Sequence, residues 1–150
     1  MGHRFTSLFT HLIFSTKDRA PLIDCELSPE CRAYIGGIIE NIGGRRIEVG
    51  GTADHVHVFL DMPATLSLAD CVRLIKTNSS KWIHERWSWR SKFAWQLGYS
   101  GFSVDRRGVD GVIRYIRGQE EHHRRETFQE EVRRFLTEYG FEWDERYIWE

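Results

Sequence analysis

Two histidines one residue apart, His55 and His57, interrupt the otherwise apolar run in GTADHVHVFLDMP (51–63). Strand side chains at i and i+2 leave the same face, so both imidazoles project together while Val56 and Val58 point the other way. Two convergent ring nitrogens can hold a divalent metal. Two ligands from one strand seldom complete a site, however, and paired histidines also occur on plain strand surfaces. The pair is expected to face outward from the sheet, so a third ligand has to come from another element.

The helical pattern VIRYIRGQEEHH (112–123) offers one. Tyr115 and Gln119 are four residues apart and share a helix face. A glutamine carbonyl oxygen suits Mg or Mn, which accept mixed oxygen and imidazole donors. A tyrosine hydroxyl beside such a site is a potential nucleophile, although its ordinary pKa near ~10 makes it a poor one without help from a metal-polarised electrophile, a base or a cation. Taken alone, Tyr115 reads better as the core tyrosine of an amphipathic helix than as a nucleophile. His122 and His123 could approach the same point, but histidines at a helix end commonly meet its last carbonyls, and they are not assigned to the site.

The elements that must carry these residues follow from periodicity. FTSLFTHLIFSTK (5–17) has the β-branched and aromatic content of a strand, closed by Pro21. A helix is expected from Ser28-Pro29 to Gly43-Gly44. RRIEVGGTA and DHVHVFLDM read as two strands meeting around Gly50-Gly51. A second helix runs through SLADCVRLIKTNSSKWIHERW with Ser67 as its cap, and FAWQLGYSGFSVD (93–105) returns to strand composition. The order β-α-β-β-α-β predicts an α+β, ferredoxin-like antiparallel sheet with helices on one face, followed by helices from DGVIRYIRGQEEHH and TFQEEVRRFLTEYG. Residues 1–150 read as one domain.

Composition narrows the function classes. The 150 residues are 41% hydrophobic and 13% aromatic, enough for a buried core. The pattern of apolar runs suggests neither a bilayer span nor a secretory leader, so a cytoplasmic protein is expected. Cys25, Cys31 and Cys71 form no metal-like pair. The net charge of −1 conceals a basic middle, with Lys76, Lys81 and Arg86 among its cations, offset by an acidic C-terminal stretch. Such a patch suits phosphate contacts, and equally suits a solvated helix face. Trp82 and Trp95 fall on apolar patterns and read as core, whereas Trp87 and Trp89 could also stack on unpaired bases.

The set THLIFSTKDR, HVHVFLDMP, LIKTNSSKWI, WQLGYSGFSV, IRYIRGQEEHH and FQEEVRRFLTEYGFEWDERYIW resembles the single-tyrosine HUH transposases of small bacterial insertion sequences, including the branch associated with repetitive extragenic palindromes. The resemblance covers nearly the whole chain, in order. It implies His55, His57 and Gln119 as metal ligands and Tyr115 as the nucleophile, forming a 5′-phosphotyrosine link that a second DNA 3′-hydroxyl can displace. It also implies single-stranded DNA hairpins as partners and a homodimer. Because Gly108 and Gly111 precede Tyr115, its helix is expected to leave its own sheet and complete a partner's site.

Two rivals belong to other classes. An RNA-binding ferredoxin-like module would carry a sheet-centred aromatic signature that this sequence lacks. A metal-dependent hydrolase would need further histidines and a carboxylate in distributed motifs.

Overall fold

A computed structural model describes residues 2–150. The strand β1 (Phe9–Ser15) is shorter than its composition suggested, because only this stretch pairs with β3, and only Thr10 to Ile13 pairs also with β4. Helix α1 (Leu27–Asn41) starts one residue before Ser28: the Asp24 carboxylate accepts from the Leu27 N–H at 2.9 Å, so aspartate rather than serine holds its first turn. Strands β2 (Arg45–Gly51) and β3 (His55–Asp61) form a hairpin. At its tip Gly51 has φ +145°, and a Cβ there would lie 2.2 Å from the His55 carbonyl, so only glycine fits. Helix α2 (Leu68–Arg86) is capped as expected, with Ser67 Oγ accepting from the Asp70 N–H at 3.0 Å.

The expected final strand shrinks to β4 (Ser100–Ser103). Before it, Trp95 bridges Thr16 and the Gln96 N–H donates to the Ser15 carbonyl, after which the Lys76 ammonium, donating to the carbonyls of Gln96, Leu97 and Gly98, holds the chain in a loop. The sheet order is β2-β3-β1-β4, antiparallel throughout, which is the ferredoxin-like arrangement.

Register separates the two faces. Leu12 and Phe14 of β1 lie with Val56, Val58 and Leu60 of β3 against Ile35, Ile39, Cys71, Ile75 and Ile83 of α1 and α2. The opposite face carries Phe9, His11 and Ile13 beside His55, His57 and Phe59. This second face is covered as well, by α3 (Val109–Arg117), the one-turn α4 (Gln119–His122) and α5 (Phe128–Glu138). The histidine pair therefore does not face solvent as expected; both residues are fully buried. Helix α5 begins at a capping box, Thr127 Oγ1 accepting from the Glu130 N–H and the Glu130 carboxylate from the Thr127 N–H. Among the described residues no helix is long and apolar enough to cross a membrane.

Candidate active site

His55 opens β3 and His57 follows two residues later, so the strand alone sets their rings side by side, with centroids 5.2 Å apart. Each is oriented from behind. His55 Nδ1 lies 2.8 Å from Asp54 Oδ1, and His57 Nδ1 lies 2.7 Å from His11 Nε2 on the neighbouring β1. The second nitrogens point across the sheet face. His55 Nε2 is 2.9 Å from Gln119 Oε1, and His57 Nε2 is 3.0 Å from Glu131 Oε1.

Helix α3 brings Tyr115 over this face. It can approach because Gly50 of β2 has no side chain: a Cβ there would stand 2.6 Å from Ile116 Cγ2 and 3.0 Å from the Ile116 carbonyl oxygen. The continuous helix expected over 110–123 breaks at Gly118, and the break sets Gln119 at the head of α4 with its side chain buried. Tyr115 and Gln119 nevertheless meet, as their spacing suggested, on one carboxylate: the Tyr115 hydroxyl and Gln119 Nε2 both donate to Glu131 Oε2, the latter at 3.0 Å. Arg134 Nη2 donates to the Tyr115 oxygen at 2.8 Å.

All four sequence-selected residues, His55, His57, Tyr115 and Gln119, thus gather within one chain. In this chain the tyrosine helix stays on its own sheet, and no glycine-permitted backbone angle immediately precedes it. Gly108 and Gly111 are absent from the positive-φ glycines Gly43, Gly51 and Gly140, Gly108 has an ordinary φ of −87°, and α3 packs on its own β2.

Burial governs the electrostatics. It lowers the His57 pKa to about 4 and, with the His57 ring beside it, the His11 pKa to about 3, keeping both rings neutral. Burial alone would raise Glu131, but hydrogen bonds from His123 and His57 hold its carboxyl well below the ordinary range, as an anion. Burial and that anion push the Tyr115 hydroxyl well above its ordinary value, so in this closed form it stays protonated.

Glu131, His123, His11, Asp54 and Arg134 are the site residues that sequence reading did not assign. Glu131 left a signal: with Phe128, Val132 and Phe135 it falls on the buried stripe of α5, where an unpartnered carboxylate would be costly. The donor atoms of His55, His57, His123 and Glu131 lie within 4.8 Å of one another, a set able to hold a cation. Of the DNA contacts expected from sequence, Lys76 is half-buried on its three carbonyls, and burial lowers its pKa to about 8. Lys81 and Arg86 are exposed and lie near Glu85 and Glu30 at 3.9 and 3.6 Å. Trp82 packs against the core and Trp95 is buried, as read; Trp87 is buried too, and Trp89 is exposed.

The family described as "Transposase IS200 like" matches residues 4–119. A Deinococcus radiodurans R1 protein described as a candidate transposase shares the fold at TM-score 0.62 and 20% identity, over 79% of this chain and 96% of that one. A repetitive-extragenic-palindrome-associated tyrosine transposase, solved bound to such a hairpin, shares it at TM-score 0.60 and 13% identity, over 82% and 74%. No curated protein sequence matches the chain.

Proposed function

The chain belongs to the IS200-like transposase family, and from that premise we propose that it cleaves and rejoins single-stranded DNA at hairpin-bearing ends through a covalent link on Tyr115. The observation that carries this reading is the convergence of the Tyr115 hydroxyl, Gln119 and the buried His55–His57 pair on one point of the sheet face. The tyrosine-transposase neighbour bound to a hairpin supports the choice of DNA partner.

The chemistry is a transesterification. The Tyr115 oxygen attacks the scissile phosphorus, an O–P bond forms as the P–O3′ bond breaks, and the phenolic proton is balanced by the proton that the leaving 3′-oxygen takes up. The phosphodiester energy is kept in the 5′-phosphotyrosine, so a second DNA 3′-hydroxyl can displace the tyrosine without an external energy source. Within the protein, Glu131 holds the attacking hydroxyl and Arg134 supplies the cation that favours negative charge on its oxygen. The convergent nitrogens and the Gln119 carbonyl oxygen fit a divalent ion. Mg or Mn held by His55, His57 and Gln119 would supply charge neutralisation and orientation at the phosphate.

His55, His57, Gln119 and Glu131 are all buried, so a phosphodiester reaches them only after α4 and α5 shift. Lys76 is spent on carbonyls, which leaves phosphate contacts on α2 to Lys81 and Arg86. A homodimer is the proposed assembly, and the single-chain geometry favours a complete site in each subunit over a shared one.

The test uses single-stranded hairpin oligonucleotides, designed from any imperfect palindromes found beside the reading frame, with MnCl2 or MgCl2. The wild-type chain should give an adduct that survives denaturant, and Tyr115→Phe should abolish it while leaving DNA binding intact. An undiminished adduct from the Phe variant would refute the assignment.

A further inference from the structure

We propose that Glu131 and His123, which lie beyond the segment matched by the family, are themselves metal ligands, and with His55 and His57 form a centre of three imidazoles and one carboxylate. The inference rests on the metal reading of the site given above.

The polarity of the three rings carries it. Each imidazole has its Nδ1 held from outside the cluster: His55 by Asp54 Oδ1 at 2.8 Å, His57 by His11 Nε2 at 2.7 Å, and His123 by the Glu126 carbonyl at 2.6 Å. Each then brings its Nε2 near one common atom, Glu131 Oε1, at 3.5, 3.0 and 3.2 Å respectively, the His55 nitrogen lying also 2.9 Å from Gln119 Oε1. A carboxylate and a backbone carbonyl can only accept, so His55 and His123 must carry their protons on Nδ1. Their Nε2 lone pairs would then face an anionic oxygen across a buried gap, and something positive has to stand between them: a proton on each ring, or one shared cation. Outer acceptors that fix Nδ1–H and turn Nε2 inward are the usual setting of a metal-bound histidine.

Sequence and burial agree. Glu131 is fully buried on the apolar stripe of α5, and His123 follows α4, so the C-terminal segment delivers two donors to a face where β3 delivers the other two. The composition also selects the ion. Mg is bound mainly through oxygens and keeps its waters, whereas three imidazoles and one carboxylate favour a first-row transition ion such as Mn or Zn.

The test is calorimetric titration of the metal-stripped full chain with MnCl2, ZnCl2 and MgCl2, without DNA. The wild type should bind Mn and Zn more tightly than Mg, and Glu131→Gln, which keeps the shape but removes the charge, should weaken Mn binding by more than ~10-fold, the loss that even an outer partner of a ligand produces. His123→Ala should weaken it as well. If the Gln variant unfolds, nitrogen-detected NMR of histidine-labelled wild type decides: added Zn should shift Nε2 of His55, His57 and His123 together. Wild-type affinity in Glu131→Gln, or a Zn shift confined to His55 and His57, overturns the inference and leaves the transposase reading standing. Absence of any binding by the wild type overturns both the inference and the metal reading.

Discussion

His11 and His57 show how neighbouring residues make a site that the sequence displays only in part. The His-x-His spacing is visible in the chain, but the ring that orients His57 arrives by register, through the pairing of β1 with β3, and no local pattern announces it. Burial holds the His57 and His11 pKa values at about 4 and about 3, below the ~6.5 expected in the unfolded chain. Between those values the unfolded state binds more protons than the folded one, so stability rises with pH across this window and is lost as pH falls from about 6.5 towards 4. His123 is shifted the other way: burial opposes its charge, but Glu131 raises its pKa, so its contribution fades only at higher pH. With chelator present, the urea midpoint is predicted to be lower at pH 5 than at pH 7, and His11→Gln should flatten the difference. Equal midpoints for the wild type would mean that the two rings are not buried neutral.

At the scale of elements, strand and helix types were legible where one face is apolar, as in β3 and α2. The limits lay where a tertiary contact overrode local preference: Lys76 gathering the carbonyls of residues 96–98 into a loop, Gly118 splitting the tyrosine helix, and Asp24 moving the start of α1. The spacing of Tyr115 and Gln119 still brought them to one carboxylate. The position of α3 depends on Gly50. Gly50→Ala must push against the Ile116 side chain and backbone, and is predicted to destabilise the fold by about 1–3 kcal/mol. Because a shift of about 1 Å can cost on the order of 100-fold in rate, adduct formation should fall by at least ~10-fold in protein that remains folded. Gly37→Ala, whose Cβ would meet nothing within 4 Å, is the control. It should leave the adduct unchanged and gain up to ~1 kcal/mol of helix stability. Unchanged adduct formation by Gly50→Ala would show that α3 is not held where the chemistry needs it.

For the whole molecule, the second sheet face decides the account. The ferredoxin-like order was readable from the alternation of strands and helices, but the covering of the histidine face by α3, α4 and α5 was not, since the sequence does not say against which surface a C-terminal helix packs. That covering places the four selected residues in one chain and predicts that mixing Tyr115→Phe with His55→Ala protein restores no cleavage, even after subunit exchange is verified. Recovery would instead require α3 to cross to a partner. The central claim, that Tyr115 becomes joined to DNA, is tested most directly by peptide mapping of the adduct. Wild-type protein is incubated with a single-stranded hairpin oligonucleotide and MnCl2, denatured, digested with protease and nuclease, and sequenced by mass spectrometry. The account predicts a phosphonucleotide on Tyr115 attached through the DNA 5′ end. A label on Tyr99, Tyr139 or Tyr147, or cleaved DNA with no protein attached, would contradict it.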